Sequence, residues 1–210
     1  MRYVSKSFAW ALPGVLAAYS VLAAAEFHES FDETRPAAEM FQGQLLVGEA
    51  DGWTGEVKKG TYFLIDRGKP GAVKVIVLPK PVAGAAEIGV SVIGQFQGEK
   101  AGAGLVYGYQ PDGRYYAFVV MPNQGYALYR GGAGELRQIS KGTNSAIQVS
   151  SVNRLSAEIA GSEAILSVNG ERVYGHKAEG GTPLRGQMGI IAIDKGAYSF
   201  DDFSLAEGGT

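Results

Sequence analysis

An antiparallel all-β sandwich is the fold class that this 210-residue sequence predicts. Three observations point to it. Apolar residues recur in short runs with little helical periodicity, the joins between runs carry turn residues, and 31 glycines are spread along the chain. Alternating β and α patterns, which would indicate a parallel sheet, are missing. No internal repeat points to a propeller or solenoid. With 46% hydrophobic residues the chain can bury a substantial core.

The first 25 residues read differently from the rest. Arg2 and Lys6 make a positive start, Phe8 to Leu22 is apolar around Pro13-Gly14, and Ala23-Ala24-Ala25 offers small residues before Glu26. This is the three-part pattern of a secretory signal peptide. A spanning helix needs about 20 apolar residues, and this run is shorter and interrupted, so cleavage after Ala25 is expected over a retained anchor. The expected domain is then residues 26–206 with a short tail, 207–210, in the periplasm or outside the cell. No later run is long enough to span a membrane.

Charge and cysteine count narrow the chemistry. Losing Arg2 and Lys6 takes the net charge from −2 to −4, and no basic patch remains to suggest nucleic acid or anionic lipid. The chain has no cysteine, which excludes thiol catalysis, cysteine-ligated metals and lipid attachment at a cysteine. An exported domain without disulfides must be held by its core alone.

Strands are expected at 61–66, 73–78, 87–96, 104–110, 114–121, 125–130, 135–140, 154–160, 164–169, 172–174, 187–194 and 198–206. Weaker candidates are 26–31 and 53–57, and helical turns are expected only within 34–41 and 145–151. Pro111-Asp112-Gly113, Asn123-Gln124-Gly125 and Gly131-Gly132-Ala133-Gly134 supply tight bends, and Asn169-Gly170 is a strong type I′ hairpin signal. Along 105–110, alternation sends Leu105, Tyr107 and Tyr109 one way and Val106 and Gln110 the other. Along 114–121, Tyr116, Phe118 and Val120 oppose Tyr115, Ala117 and Val119. One face must fill the core between sheets; the other presents an apolar or aromatic surface.

Two stretches carry more than this general pattern. The first is Ala103-Gly104-Leu105-Val106-Tyr107-Gly108-Tyr109, then Asp112-Gly113-Arg114-Tyr115-Tyr116-Ala117-Phe118, then Gly125-Tyr126-Ala127-Leu128-Tyr129-Arg130. The second is Asn153-Arg154-Leu155, Ile165-Leu166-Ser167-Val168-Asn169-Gly170, Gly186-Gln187-Met188-Gly189-Ile190 and Phe200-Asp201-Asp202-Phe203. In order and spacing these resemble the concanavalin A-like lectin/glucanase superfamily, nearest its laminin G-like and bacterial 3-keto-disaccharide hydrolase-like branches. The resemblance covers nearly the whole mature domain. It implies a jelly-roll β-sandwich of two stacked antiparallel sheets, one of them concave, with 27–32 pairing near the Phe200–Phe203 strand. It leaves function open, because lectins, glycosidases, adhesion modules and scaffold domains share the fold.

Catalytic readings find little support. A retaining glycosidase of this superfamily needs two carboxylates about 5 Å apart on one strand face. The nearest match, Glu49-Ala50-Asp51-Gly52-Trp53-Thr54-Gly55-Glu56, places its second glutamate too late and breaks the strand with two glycines. It reads as a solvated turn. The two histidines, His28 and His176, have no Gly-x-Ser-x-Gly elbow to serve; His176 reads as a solvent-exposed loop residue. Zinc-ligand spacing and a dinucleotide fingerprint are both missing. Asp32 and Asp201 or Asp202 could meet at the paired terminal strands and accept calcium. The simpler reading has them capping turns, so no metal, cofactor or catalytic residue is assigned.

Binding fits the residues better. Flat aromatic rings flanked by polar forks suit a sugar, and Trp53, Tyr109, Gln110, Arg114, Tyr116, Tyr126, Tyr129 and Arg130 are the candidates, with Trp53 expected on a loop. The competing reading is that strand aromatics simply pack against one another. The expectation is an exported, non-catalytic, lectin-like module whose partner is a carbohydrate. One alternative is a protein-interaction or envelope-scaffold domain. The other is a sugar-processing hydrolase, with Glu87, Asp112 and Glu158 as its acidic candidates. Oligomeric state is not indicated.

Overall fold

The computed structural model describes residues 26–66, 68 and 71–208; the predicted signal peptide and residues 209–210 lie outside them. Fifteen strands are formed among the described residues. They are β1 (Glu26–Glu29), β2 (Gly48–Ala50), β3 (Trp53–Lys58), β4 (Thr61–Asp66), β5 (Val73–Val77), β6 (Ala86–Phe96), β7 (Gly102–Tyr109) and β8 (Tyr115–Met121). There follow β9 (Gly125–Gly132), β10 (Glu135–Thr143), β11 (Asn153–Ala160), β12 (Glu163–Val168), β13 (Glu171–Lys177), β14 (Gln187–Ile193) and β15 (Gly196–Glu207). Short 3-10 turns occupy Ala37–Gly43 and Glu179–Gly181.

The strands form two antiparallel sheets stacked as a sandwich. The nine-stranded sheet runs β13-β12-β11-β6-β15-β4-β3-β2 with β1 beside β15; the six-stranded sheet runs β10-β9-β8-β7-β14-β5. Glu29 faces Phe203 across the β1/β15 ladder, so the terminal strands meet as expected. Two-residue periodicity accounts for the core. Tyr62, Leu64, Ile88, Val90, Leu105, Tyr107, Phe118, Leu155, Leu166 and Phe200 all point between the sheets and are fully buried. Each such side chain contributes roughly 1.5–3 kcal/mol relative to exposure. Val106, Ala117, Val119, Ala127, Tyr129 and Ile191 form a second apolar cluster on the other face of the six-stranded sheet, with Tyr109, Tyr115 and Leu136 packed around them.

Several expectations are corrected by this architecture. Alternation puts Leu105 and Tyr107 in the core, but Tyr109 lies with Val106 on the opposite face. Gly108, at φ +63°, inserts a bulge there, and the β14/β7 register shifts between Gln187 and Gly189. An extra residue in one strand reverses every side chain after it. Trp53 opens β3 rather than sitting on a loop and is only 2% exposed, packed near Tyr198. His176 is a strand residue, 5% exposed. Residues 145–151 form turns without a helix. At the C-terminus, β15 reaches Glu207, and the Gly208 amide donates to the Ala85 carbonyl.

Candidate functional site

One end of the sandwich collects polar and aromatic side chains from three elements. The β7–β8 hairpin supplies Gln110, Arg114, Tyr115 and Tyr116; β9 supplies Arg130; the segment between β13 and β14 supplies Glu179, Leu184 and Arg185. They line a cleft of about 300 Å³. A groove of about 370 Å³ lies on the outer face of the nine-stranded sheet, among Thr61, Phe63, Ser91, Ile93 and Ser199. Asp201 is its one charged lining residue, so the first cleft is chemically far richer.

Each cleft side chain is fixed by a neighbour. Tyr115 pairs across the ladder with Gly131, and a Cβ on that glycine would come within 2.1 Å of the ring. The ring therefore lies flat over the glycine, with Tyr109 stacked beside it at 5.7 Å. Tyr116 faces inward, stacks on Tyr107 at 5.7 Å and meets His176 at 4.5 Å. Behind it the Tyr107 hydroxyl and His176 Nδ1 are 3.0 Å apart. Burial pushes the Tyr107 phenol well above its ordinary pKa and the His176 imidazole below its own, so both are held neutral.

The polar groups are tethered as well. Gln110 Nε2 donates to the Gly108 carbonyl at 3.2 Å and also to the Arg185 carbonyl, joining the hairpin to the 178–186 segment. Arg114 Nε donates to Asp112 Oδ2 at 2.7 Å. The Arg114 backbone amide, helped by its guanidinium, holds the Asp112 carboxyl below its usual pKa. Arg130 Nη1 donates to Glu179 Oε2 at 2.9 Å, and Arg137 Nη2 donates to Glu179 Oε1 at 2.9 Å.

The structure thus brings Gln110, Arg114, Tyr116 and Arg130 together, whereas Tyr109 stacks on Tyr115 on the opposite face of the sheet. Trp53, Tyr126 and Tyr129 lie elsewhere. Trp53 is in the core, the Tyr126 hydroxyl donates to the Val173 carbonyl at 3.2 Å, and Tyr129 is 7% exposed in the second apolar cluster. Sequence reasoning missed Tyr115, Arg137, Glu179 and Arg185. Arg137 could have been found, since it stands as far after the Ala133-Gly134 turn as Arg130 stands before it. Glu179 and Arg185 carry no such signal; only the folded path of their segment brings them here.

The acidic candidates fall in two places. Glu87 and Glu158 face each other across β6 and β11 in the larger sheet and line a shallow groove with Glu163 and Glu207, whereas Asp112 belongs to the β7–β8 turn of the other sheet. Glu49, Asp51 and Glu56 are exposed around the β2–β3 turn. The Asp32 carboxylate accepts from the Thr34 amide at 2.9 Å, as a turn residue does. Among the described residues no three histidine, aspartate or glutamate side chains group as metal ligands.

No family model matches the chain. No curated protein matches it in sequence. Solved structures do match in fold. The carbohydrate-binding module CBM66 from Bacillus subtilis is similar at a TM-score of 0.59 and 17% identity, over 74% of this chain and 96% of that one. The carbohydrate recognition domain of Emp46p, in its metal-free form, is similar at 0.60 and 12% identity, over 86% and 95%. The GH43 protein BlXynB from Bacillus licheniformis is similar at 0.59 and 15% identity, over 85% of this chain but 39% of that one. A further neighbour from Bacillus subtilis is described as galectin-like in fold. The fold is that of the concanavalin A-like and galectin-like β-sandwiches.

Proposed function

We propose that the domain is an exported, non-catalytic carbohydrate-binding module whose ligand seats in the cleft between the β7–β8 hairpin and the 178–186 segment. The observation that carries this reading is the cleft itself. The Tyr116 ring, paired with Arg130 across the β8/β9 ladder, stands on the same face of the sheet as Arg114 and Arg130 with Gln110 beside them, the pairing of apolar ring and polar fork that a sugar needs. Its volume is at the small end of ligand sites, about 300–1,000 Å³, which suits a chain end or single residue better than a long segment. Neighbours of the same fold that are named for carbohydrate binding or recognition support the reading. A non-catalytic role fits an arrangement in which Asp112 is kept ionised by Arg114 and Glu179 is engaged by Arg130 and Arg137, whereas a glycosidase needs one carboxyl held protonated as the acid.

Affinity electrophoresis or a glycan array with the mature domain tests this. The expected result is retention by at least one polysaccharide, weakened about tenfold or more by Tyr116→Ala or Arg130→Ala, since truncating a central aromatic or arginine anchor typically costs over 1 kcal/mol. Unchanged thermal melting of the variants would show that the loss is local. Failure to bind any polysaccharide would overturn the proposal.

A further inference from the structure

We infer that the cleft recognises a carboxylate-bearing glycan, a uronate-containing chain, by means of a clamp made from Arg130 and Arg137; this rests on the carbohydrate-binding reading above. The two arginines are directly opposite in the β9/β10 ladder. Side chains so placed leave the same face of the sheet, and like charges directly opposite repel. An anion between them removes that penalty. In the structure the anion is Glu179, which gives one carboxylate oxygen to each guanidinium at 2.9 Å. The chain's own carboxylate thus shows the geometry in which an incoming one would be held.

The surroundings favour an anion further. Arg114 and Arg185 also line the cleft, and Arg185 makes no ion pair among the described residues. Four of the eight arginines after residue 25 (Arg114, Arg130, Arg137 and Arg185) therefore gather at one end of a domain that is acidic as a whole. Long-range attraction would bring a polyanion to this end and not to others.

Glu179 is placed to be exchanged. Its side chain is 70% exposed, and an ion pair in that position is only weakly held against water and salt. It begins the 3-10 turn whose other members, Gly180 and Gly181, lie at φ +65° and +67°, so the turn can be rearranged at little steric cost. A uronate carboxylate offers two oxygens to the same two guanidinium groups, and its ring can then lie against the cleft aromatics. One carboxylate replaces another and no arginine is left unpaired. A neutral sugar would leave the clamp on Glu179 and draw nothing from it.

Calorimetric titration of the mature domain tests the inference with three probes: oligogalacturonate, a neutral glucan oligomer of equal length, and dextran sulfate. Oligogalacturonate is expected to bind at least about tenfold more tightly than the glucan, and more weakly as salt screens the charges. Glu179→Gln should tighten oligogalacturonate binding several-fold by removing the competing carboxylate, whereas Arg130→Gln and Arg137→Gln should weaken it about tenfold or more with unchanged melting. Equal binding of the neutral oligomer, or no gain in Glu179→Gln, would overturn the carboxylate clamp while leaving carbohydrate binding intact. Dextran sulfate binding without oligogalacturonate binding would overturn it in favour of general anion attraction. Binding of no saccharide at all would overturn both readings.

Discussion

His176 is a residue whose environment only the folded chain reveals. In sequence it follows a glycine and precedes a lysine, which reads as a surface loop; in the structure β13 carries it inward against Tyr107 and Tyr116. Burial disfavours the imidazolium, so its pKa falls below the ordinary 6.5. As pH drops through that value the unfolded chain takes up the proton first. The unfolded state then binds more protons than the folded one, and stability falls with falling pH. We expect a melting temperature about 2–4 °C lower near pH 5 than near pH 7.5 from this group, the change that ~1 kcal/mol produces in a domain of this size. Comparing the pH dependence of His176→Gln with that of the unchanged protein isolates the contribution; identical slopes would show that His176 does not supply it. Tyr109 and Trp53 teach the same lesson. Residue type alone nominated them as surface aromatics, yet a single bulge at Gly108 decided the first, and burial against Tyr198 decided the second.

At the scale of elements, what could be read in advance followed from two periods: the alternation within strands and the turn residues between them. The β8 faces, the Asn169-Gly170 hairpin with both residues at positive φ, and the meeting of first and last strands all came out as expected. Strand β2 did not, because its three residues, Gly-Glu-Ala, are all exposed and alternate nothing. The cleft was half readable for the same reason. Its hairpin members share a local pattern, whereas the 178–186 segment reaches them across a long loop whose path no local signal encodes. The sheet also shows how half-buried tyrosines are held. Tyr115 lies over Gly131, and Tyr126 likewise lies over Gly142 on the next strand. A glycine opposite an aromatic lets the ring settle on the backbone and pins it. Gly131→Ala would place a Cβ within 2.1 Å of Tyr115, forcing the ring off the strand. The expected outcome is a cost in stability of about 1–3 kcal/mol for the local overpacking, with polysaccharide affinity held within a few-fold, since this ring lies on the face of the sheet away from Arg130. Melts and binding isotherms of Gly131→Ala check it; a tenfold loss of affinity with an unchanged melt would show that the Tyr115 ring reaches the ligand.

Across the whole molecule, the N-terminal strand links the proposed export to stability. A chain with no cysteine must close its sandwich by packing and ladders alone, and β1 is where that closure is completed. Strand β15 has β4 beside residues 196–200 and β1 beside residues 203–206, the change of partner falling at a register shift that includes Asp202 at φ +48°. Without β1 that second half of β15 would lie as an open edge. The strand also brings in Phe27, packed edge-on against Phe41 and Phe203, and leads into Phe31, stacked on Tyr62. Between them Glu29, 1% exposed, accepts from the Phe31 and Phe41 amides at 3.1 and 2.9 Å and from the Arg35 guanidinium. Removing that carboxylate by Glu29→Ala leaves two buried amides and a cation without an acceptor, a loss of about 3 kcal/mol read as a lower urea midpoint. Cutting away the strand should do far more. A chain beginning at Glu33 loses the β1 ladder, two core phenylalanines and Glu29 together, and is expected to show no cooperative urea transition. A chain beginning at Glu26 keeps them all. The predicted cleavage after Ala25 therefore falls at the latest point that spares the closing strand, and N-terminal sequencing of the exported protein is expected to return Glu26. A mature protein that began several residues later and still melted cooperatively would break the link between the proposed cleavage site and the fold.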